Sequence, residues 1–169
     1  EQGKTVFVSS HILTELSDPE FMEARLEARS KPAVLRAMTE VAERTGYLYD
    51  PDDLCKELRE REDLCSTGID GGAALLHPRH HDPYMVEDSF VCIGRTQTPI
   101  PFGAPDGGKT DVFFLVCCQD DRTHLHVLSR LCILCHACTI LDELRQAADG
   151  REMHEALKRA EQAVLRQQR

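Results

Sequence analysis

Residues 90–118 read FVCIGRTQTPIPFGAPDGGKTDVFFLVCC, two β-prone runs joined by a connection dense in Pro and Gly. The runs, 90–96 and 111–118, are rich in Val, Ile, Phe and Leu, residue types that fit a pleated, half-buried surface. What joins them decides the fold. Within the connection, GAPDGGKT (103–110) matches the phosphate-binding loop pattern G-x-x-x-x-G-K-[ST] position by position. That pattern cradles phosphate only between a strand and a following helix, whose first amides point at the anion. Here a strand follows, and no later apolar run ends in an Asp that would hold magnesium. The segment therefore reads as a turn between two strands of one sheet.

Outward from this pair, the upstream chain reads as strand, helix, helix. Residues 22–28 alternate as a strand. Ser30 caps a helix over Lys31 to Arg44 with Pro32 in its first turn, and Gly46 stops it. Asp50 and Pro51 open a second helix to about Glu62, with Leu54, Cys55 and Leu58 on one face. Residues 66–89 are rich in Gly, His, Pro and Asp and read as loop around a short apolar segment, Ala73 to Leu76. From Thr123 the pattern is helical to the end, with breaks near Cys138 and at Asp149-Gly150. Residues 1–18, with a β-prone run at Thr5–Val8 and a helical turn around His11 to Leu16, are expected to be a tail or linker, leaving 19–169 as the domain. Strands interleaved with helices point to a single α/β domain, one sheet covered on both faces.

Composition agrees. The chain has 169 residues, 41% hydrophobic and 29% charged, close to an ordinary globular domain. No apolar run approaches the ~20 residues that span a bilayer, so no membrane insertion is expected. Twenty basic against 29 acidic residues give a net charge of −9, which argues against broad capture of nucleic acid while leaving room for a local basic pocket. With no Trp and 5% aromatics, the core must come from Leu, Val, Ala and Cys. The eight cysteines would suggest disulfides in a short secreted chain, yet no signal peptide is evident. They read instead as reduced, mostly buried thiols of a cytoplasmic protein. The start at Glu1 rather than Met is that expected of a trimmed chain or a piece of a longer product, with an upstream domain compatible.

Two further matches are expected to be structural. CILCH (132–136), extended by Cys138, fits a haem-attachment pattern, but that chemistry belongs outside the cytoplasm. Inside a helical segment such cysteines are small core residues. HPRHH supplies His77, His80 and His81, with Asp82 and Glu87 nearby as zinc ligands, but no HExxH or paired C-x-x-C unit sets a geometry. Neither a metal nor a cofactor is expected.

A last constellation joins distant segments: Arg61 in RED, then STGIDGGAALLHPR (66–79), PIPFGAPDGG (99–108) and THLHVLSRL (123–131). It places His77 after a short apolar segment, Arg61 and Arg79 close in sequence, and His124 at a helix start. An imidazole, mostly unprotonated at neutral pH, can accept a phosphoryl group, and arginine forks can neutralise its oxygens. A helix N-terminus beside His124 would add a positive dipole end. Taken alone, the same residues also fit surface histidines and salt-bridged arginines.

In Arg61-Glu62, Ser66-Thr67-Gly68, Leu76-His77, FGAPDG, SKPAVLRAM and the His-Leu-x-x-Leu element of His124, Leu125 and Leu128, the chain resembles a known family. It is the enzyme IIA domain of the bacterial phosphoenolpyruvate-dependent sugar phosphotransferase system, in its fructose, mannitol and nitrogen-regulatory class. The resemblance covers roughly residues 19–150. It implies a mixed sheet of about five strands flanked by helices. It also implies that His77 takes a phosphoryl group from the phosphocarrier HPr and passes it to a IIB partner. By position, Arg61 would stabilise the phosphate, His124 would line the site, and Thr67 and Arg79 would bind phosphate. Leu76 stands where the family usually has proline, which implies a looser loop before His77, with Pro78 compensating. The chain holds no IIB or permease segment, which favours a freestanding or regulatory member. The alternative is a regulatory protein-binding module whose phosphotransfer is weak or lost through Leu76. His80-His81, the helix beyond 150 and the first residues lie outside the resemblance.

Overall fold

The pair of strands read at 90–118 forms the centre of the sheet in the computed structural model, which describes residues 10–80, 82–137 and 139–169. The strands are β1 (Met22–Leu26), β2 (Gly68–Ile69), β3 (Ala73–Leu76), β4 (Phe90–Pro101) and β5 (Lys109–Cys117). They make one mixed sheet in the order β1-β4-β5-β3-β2. β4 and β5 run antiparallel, as do β2 and β3, whereas β1 is parallel to β4 and β3 to β5. The phosphate-loop pattern is a hairpin turn. Gly103 and Gly107 take the left-handed φ of 82° and 72° that such a turn requires, and Lys109 opens β5. The Asp106 carboxylate accepts the amides of Gly108 (2.9 Å) and Gly71 (3.1 Å), which ties this turn to the one between β2 and β3. Those two amides hold its carboxyl below the usual carboxylate range.

Alternation along the strands divides the core in two. Val112, Phe114 and Val116 face α1 (Ile12–Glu15), α4 (Asp121–Ala137), α5 (Ile140–Gln146) and α6 (Gly150–Gln167). Phe113, Leu115 and Cys117 face α2 (Lys31–Glu43) and α3 (Pro51–Leu64). Each such side chain contributes about 1.5–3 kcal/mol on burial. α2 lies so close to the sheet that a Cβ on Gly94 would come within 2.4 Å of Met38 Sδ. The expected helix starts hold: Ser30 accepts the Ala33 amide and Asp50 those of Asp52 and Asp53, while Asp149, read only as a break, caps α6 by accepting the Glu152 amide. Arg95, buried with no carboxylate partner among the described residues, donates from Nη1 to Leu144, Arg145 and Ala147 carbonyls (2.6–2.8 Å) and closes the end of α5.

The expectation of a tail over residues 1–18 is corrected for the part described. Ile12 and Leu13 are buried, and α6 supplies a fully buried carboxylate, Glu161, to the start of α1. It accepts the Leu13 amide (3.0 Å) and the Thr14 amide (3.0 Å) and hydroxyl (2.8 Å). The Thr5–Val8 run lies outside the described residues. The segment read mostly as loop at 66–89 also contains β2, paired with β3.

Cys55, Cys92, Cys117 and Cys118 are buried, Cys132 and Cys135 half-buried and Cys65 exposed, and none of these seven is in a disulfide. Burial pushes the Cys92 and Cys117 thiols well above their ordinary value and Cys118 up to about 12. CILCH lies within α4, and Cys138 falls outside the described residues. Among the described residues no single helix is long and apolar enough to cross a membrane.

Candidate functional site

His77 follows the last residue of β3, and α4 starts just after β5, the parallel neighbour of β3. The two elements therefore meet outside the carboxyl ends of parallel strands, where open α/β sheets place their ligand crevices. His124, in the first turn of α4 and 5% exposed, brings its ring to 5.1 Å from that of His77, inclined at 60°. α3 approaches from the opposite face and delivers Arg61 from its last turn. Arg61, His77 and His124, distant in sequence, thus converge on one site.

Hydrogen bonding assigns the tautomer of His77. Its Nδ1 lies 2.9 Å from the Leu75 carbonyl, which can only accept, so Nδ1 carries the proton. Nε2 keeps its lone pair and accepts from Arg61 Nε at 3.1 Å. The same guanidinium is held from behind: Nη1 donates to the Cys65 carbonyl at 2.8 Å and meets its Sγ at 3.5 Å. Nη2 makes no hydrogen bond to a described residue. The arrangement presents an oriented ring nitrogen that accepts rather than donates, next to a fixed cation. It suits a tetrahedral anion attached to that nitrogen.

The remaining expected residues are placed differently. Thr67 is buried, and its hydroxyl and amide both donate to the Glu62 carboxylate, so its proton is not offered to a phosphate in this arrangement. Arg79 is exposed, two residues past His77, with no ion pair to a described residue. His80 turns away: its amide (3.0 Å) and Nδ1 (3.2 Å) both meet Glu57. His81 lies outside the described residues, among which no group of three or more His, Cys, Asp or Glu could hold a metal ion. The positive end of α4 is partly used by its own cap, because Asp120 accepts the Thr123 amide at 2.8 Å and its hydroxyl at 2.9 Å.

Leu76 does not loosen the approach to His77. It is 1% exposed, lies within β3 and pairs with Leu115 of β5, so the ladder runs to the residue before the histidine. Sequence reasoning missed Lys31, whose Nζ pairs with Glu62 at 2.7 Å and reaches the Phe102 carbonyl at 3.2 Å. It also missed Cys65 as the anchor of Arg61. The spacing Asp120-x-x-Thr123 ahead of a helical pattern was a readable cap signal.

The family model described as "Phosphoenolpyruvate-dependent sugar phosphotransferase system, EIIA 2" matches residues 15–160. The nitrogen regulatory protein of Escherichia coli (strain K12) is 29% identical over 150 residues, spanning 86% of this chain and 88% of that protein. The crystal structure of nitrogen regulatory protein IIA-Ntr from Neisseria meningitidis superposes with a TM-score of 0.73 at 26% identity, covering 86% of this chain and 99% of that one. A complex of the mannitol IIA enzyme with phosphorylated mannitol IIB, both from Escherichia coli, shares the fold, with a TM-score of 0.72 at 17% identity over 83% of this chain and 96% of that one.

Proposed function

The chain belongs to the enzyme IIA type 2 family of the phosphoenolpyruvate-dependent sugar phosphotransferase system, and on that premise we propose that it is a phosphohistidine carrier. His77 Nε2 takes a phosphoryl group from phospho-HPr and passes it to a IIB protein or domain, or holds it as a regulatory signal. A cytoplasmic location goes with these partners. The likeness to a nitrogen regulatory protein over 86% of this chain and 88% of that protein supports the regulatory form. The mannitol IIA complex with phosphorylated IIB supports a IIB-type recipient.

The observation that carries the reading is the geometry at His77: Nδ1–H fixed on the Leu75 carbonyl, and Nε2 directed at the Arg61 guanidinium as an acceptor. In an in-line transfer, the lone pair of Nε2 attacks phosphorus as the donor's P–N bond breaks, and that bond's electrons return to the donor imidazole. No proton has to leave Nε2, and the proton stays on Nδ1, donated to the Leu75 carbonyl, throughout. Arg61 must first yield the lone pair. Anchored at Nη1 by Cys65, it can turn Nε from the nitrogen and offer Nε and Nη2 to the incoming phosphoryl oxygens, exchanging one hydrogen bond for charge-assisted ones. His124 closes the other side of the ring. The alternative, a binding module with lost phosphotransfer, leaned on Leu76 loosening the loop; the pairing of Leu76 with Leu115 favours the carrier instead.

Incubation with phosphoenolpyruvate, enzyme I and HPr tests the proposal by intact mass. The expected result is a gain of ~80 Da, the mass of one phosphoryl group, that is lost in acid and absent in His77→Ala. No gain in the wild-type chain refutes the carrier reading, and a gain that persists in His77→Ala refutes the site.

A further inference from the structure

Glu62, the neighbour of Arg61, turns to Lys31 and Thr67 and is only 8% exposed. Burying a carboxylate is costly unless it is paired and hydrogen-bonded. Here it is both: Lys31 Nζ lies 2.7 Å from Oε2, the Thr67 hydroxyl donates to Oε1, and the Thr67 amide lies 3.3 Å from both oxygens. Lys31 also sits over the Phe102 ring at 4.4 Å and donates to the Phe102 carbonyl, which receives Ser66 Oγ as well. The turn after α3, residues 65–67, is thus clamped from several sides.

Two lines run from that turn to the reacting groups. Through the backbone, the Cys65 carbonyl holds Arg61 Nη1. Through the sheet, the Thr67 carbonyl receives the Leu75 amide at 3.1 Å, and the carbonyl of the same Leu75 holds His77 Nδ1. We infer that Glu62 is a positioning residue which, through Thr67, sets both the tautomer of His77 and the aim of Arg61. The inference rests on the carrier reading for its kinetic consequence but not for its structural one. Shifts of about 1 Å at reacting atoms cost rates of order a hundredfold, so a misplaced Leu75 carbonyl is felt in turnover while the docking surface stays intact.

The test uses the whole chain with Glu62→Gln, Thr67→Val and Thr67→Ser. Two readouts are taken: kcat and KM for phospho-HPr, and the ring-nitrogen chemical shifts of His77 in ¹⁵N-labelled protein. Glu62→Gln and Thr67→Val are expected to lower kcat at least about tenfold with KM within about twofold. They should also move the His77 nitrogens from a single Nδ1–H tautomer toward a mixture. Thr67→Ser, which keeps the hydroxyl, should stay near wild type in both readouts. The inference is overturned if a folded Glu62→Gln or Thr67→Val keeps wild-type kcat and tautomer, or if Thr67→Ser is as impaired as Thr67→Val, which would make the site's role one of packing. The two substitutions break one link from opposite ends, so either folded variant decides. If the wild-type chain accepts no phosphoryl group, the carrier reading fails, while the nitrogen shifts still decide the role of Glu62.

Discussion

Replacing Glu161 by Ala should cost the fold about 3–5 kcal/mol, the range found when one member of a buried ion pair is removed. The side chain is 0% exposed. It accepts three hydrogen bonds, from the Leu13 amide, the Thr14 amide and the Thr14 hydroxyl, and faces Arg130 Nη1 at 3.9 Å. Each donor left unmet in the interior costs about 1–3 kcal/mol. Leu13 is fully buried and bears that cost in full, whereas half-buried Thr14 can turn to water, so the sum stays well below three maximal terms. An upper bound comes from the alternative of letting α1 detach. That forfeits the burial of Ile12 and Leu13, about 1.5–3 kcal/mol each, and recovers backbone entropy. The two routes are of similar size, so part of the population should release α1 while the sheet stays folded. Urea unfolding at pH 7 measures the loss, and amide hydrogen exchange over residues 12–16 locates it. Glu161→Gln, which keeps one acceptor oxygen, should lose less. A stability within about 1 kcal/mol of wild type for Glu161→Ala, with residues 12–16 still protected, would refute the account of how this segment is held.

Arg61→Lys keeps the charge but not the fork that reaches His77 and Cys65 together, and should slow phosphoryl uptake by about a hundredfold in rapid-quench mass measurements; a change within about threefold would contradict the assigned role. Iodoacetamide at pH 8 should modify exposed Cys65 in the native chain, while Cys92, Cys117 and Cys118, held protonated by burial, react only after unfolding; peptide mapping that finds Cys117 labelled as fast as Cys65 would contradict the packing. Burial, helped by Arg130 for His126 and Lys158 for His154, pulls both imidazoles below their ordinary value of 6.5. The unfolded chain then binds more protons, so their contribution to stability is full above that value and is lost as pH falls through the folded-state values beneath it. Urea midpoints should drop from pH 7 toward 5 in the wild type and less steeply in the His126→Gln/His154→Gln double variant; equal slopes would refute this source of the pH dependence.

The parts of the fold legible in the sequence are those whose signal is local. The β4–β5 hairpin could be read because its strands alternate and its turn carries glycines where positive φ is needed. The same reading disarmed the phosphate-loop pattern, since residues after Lys109 suit a strand. The starts of α2 and α3 were legible from Ser30 and Asp50 ahead of the pattern, whereas Asp120 ahead of α4 went unread. β2 was not legible, because two residues carry no period. The turn of α1 was read at His11 to Leu16, but its docking onto the domain was not, because the partner that takes up the Leu13 amide lies 148 residues away.

The site divides along the same line. His77, Arg61 and His124 could be singled out because their residue types carry the chemistry, and the resemblance supplied the pairing that composition alone left open. Thr67 was assigned to phosphate on residue type and position, yet its hydroxyl belongs to Glu62. The spacing from Glu62 to Thr67 crosses the end of α3, where helical periodicity no longer says which side chains meet. The group that orients His77 is the Leu75 backbone carbonyl, which every residue possesses and no sequence pattern marks. A change at Leu75 that left its side chain packed but moved its carbonyl would therefore disturb His77 as surely as a change at Arg61. The ladder from Leu75 to Phe114 and from Leu76 to Leu115 is what prevents it. In this chain a leucine at position 76 does from within the sheet what the family's proline implies by restricting φ: it fixes the backbone entering the histidine.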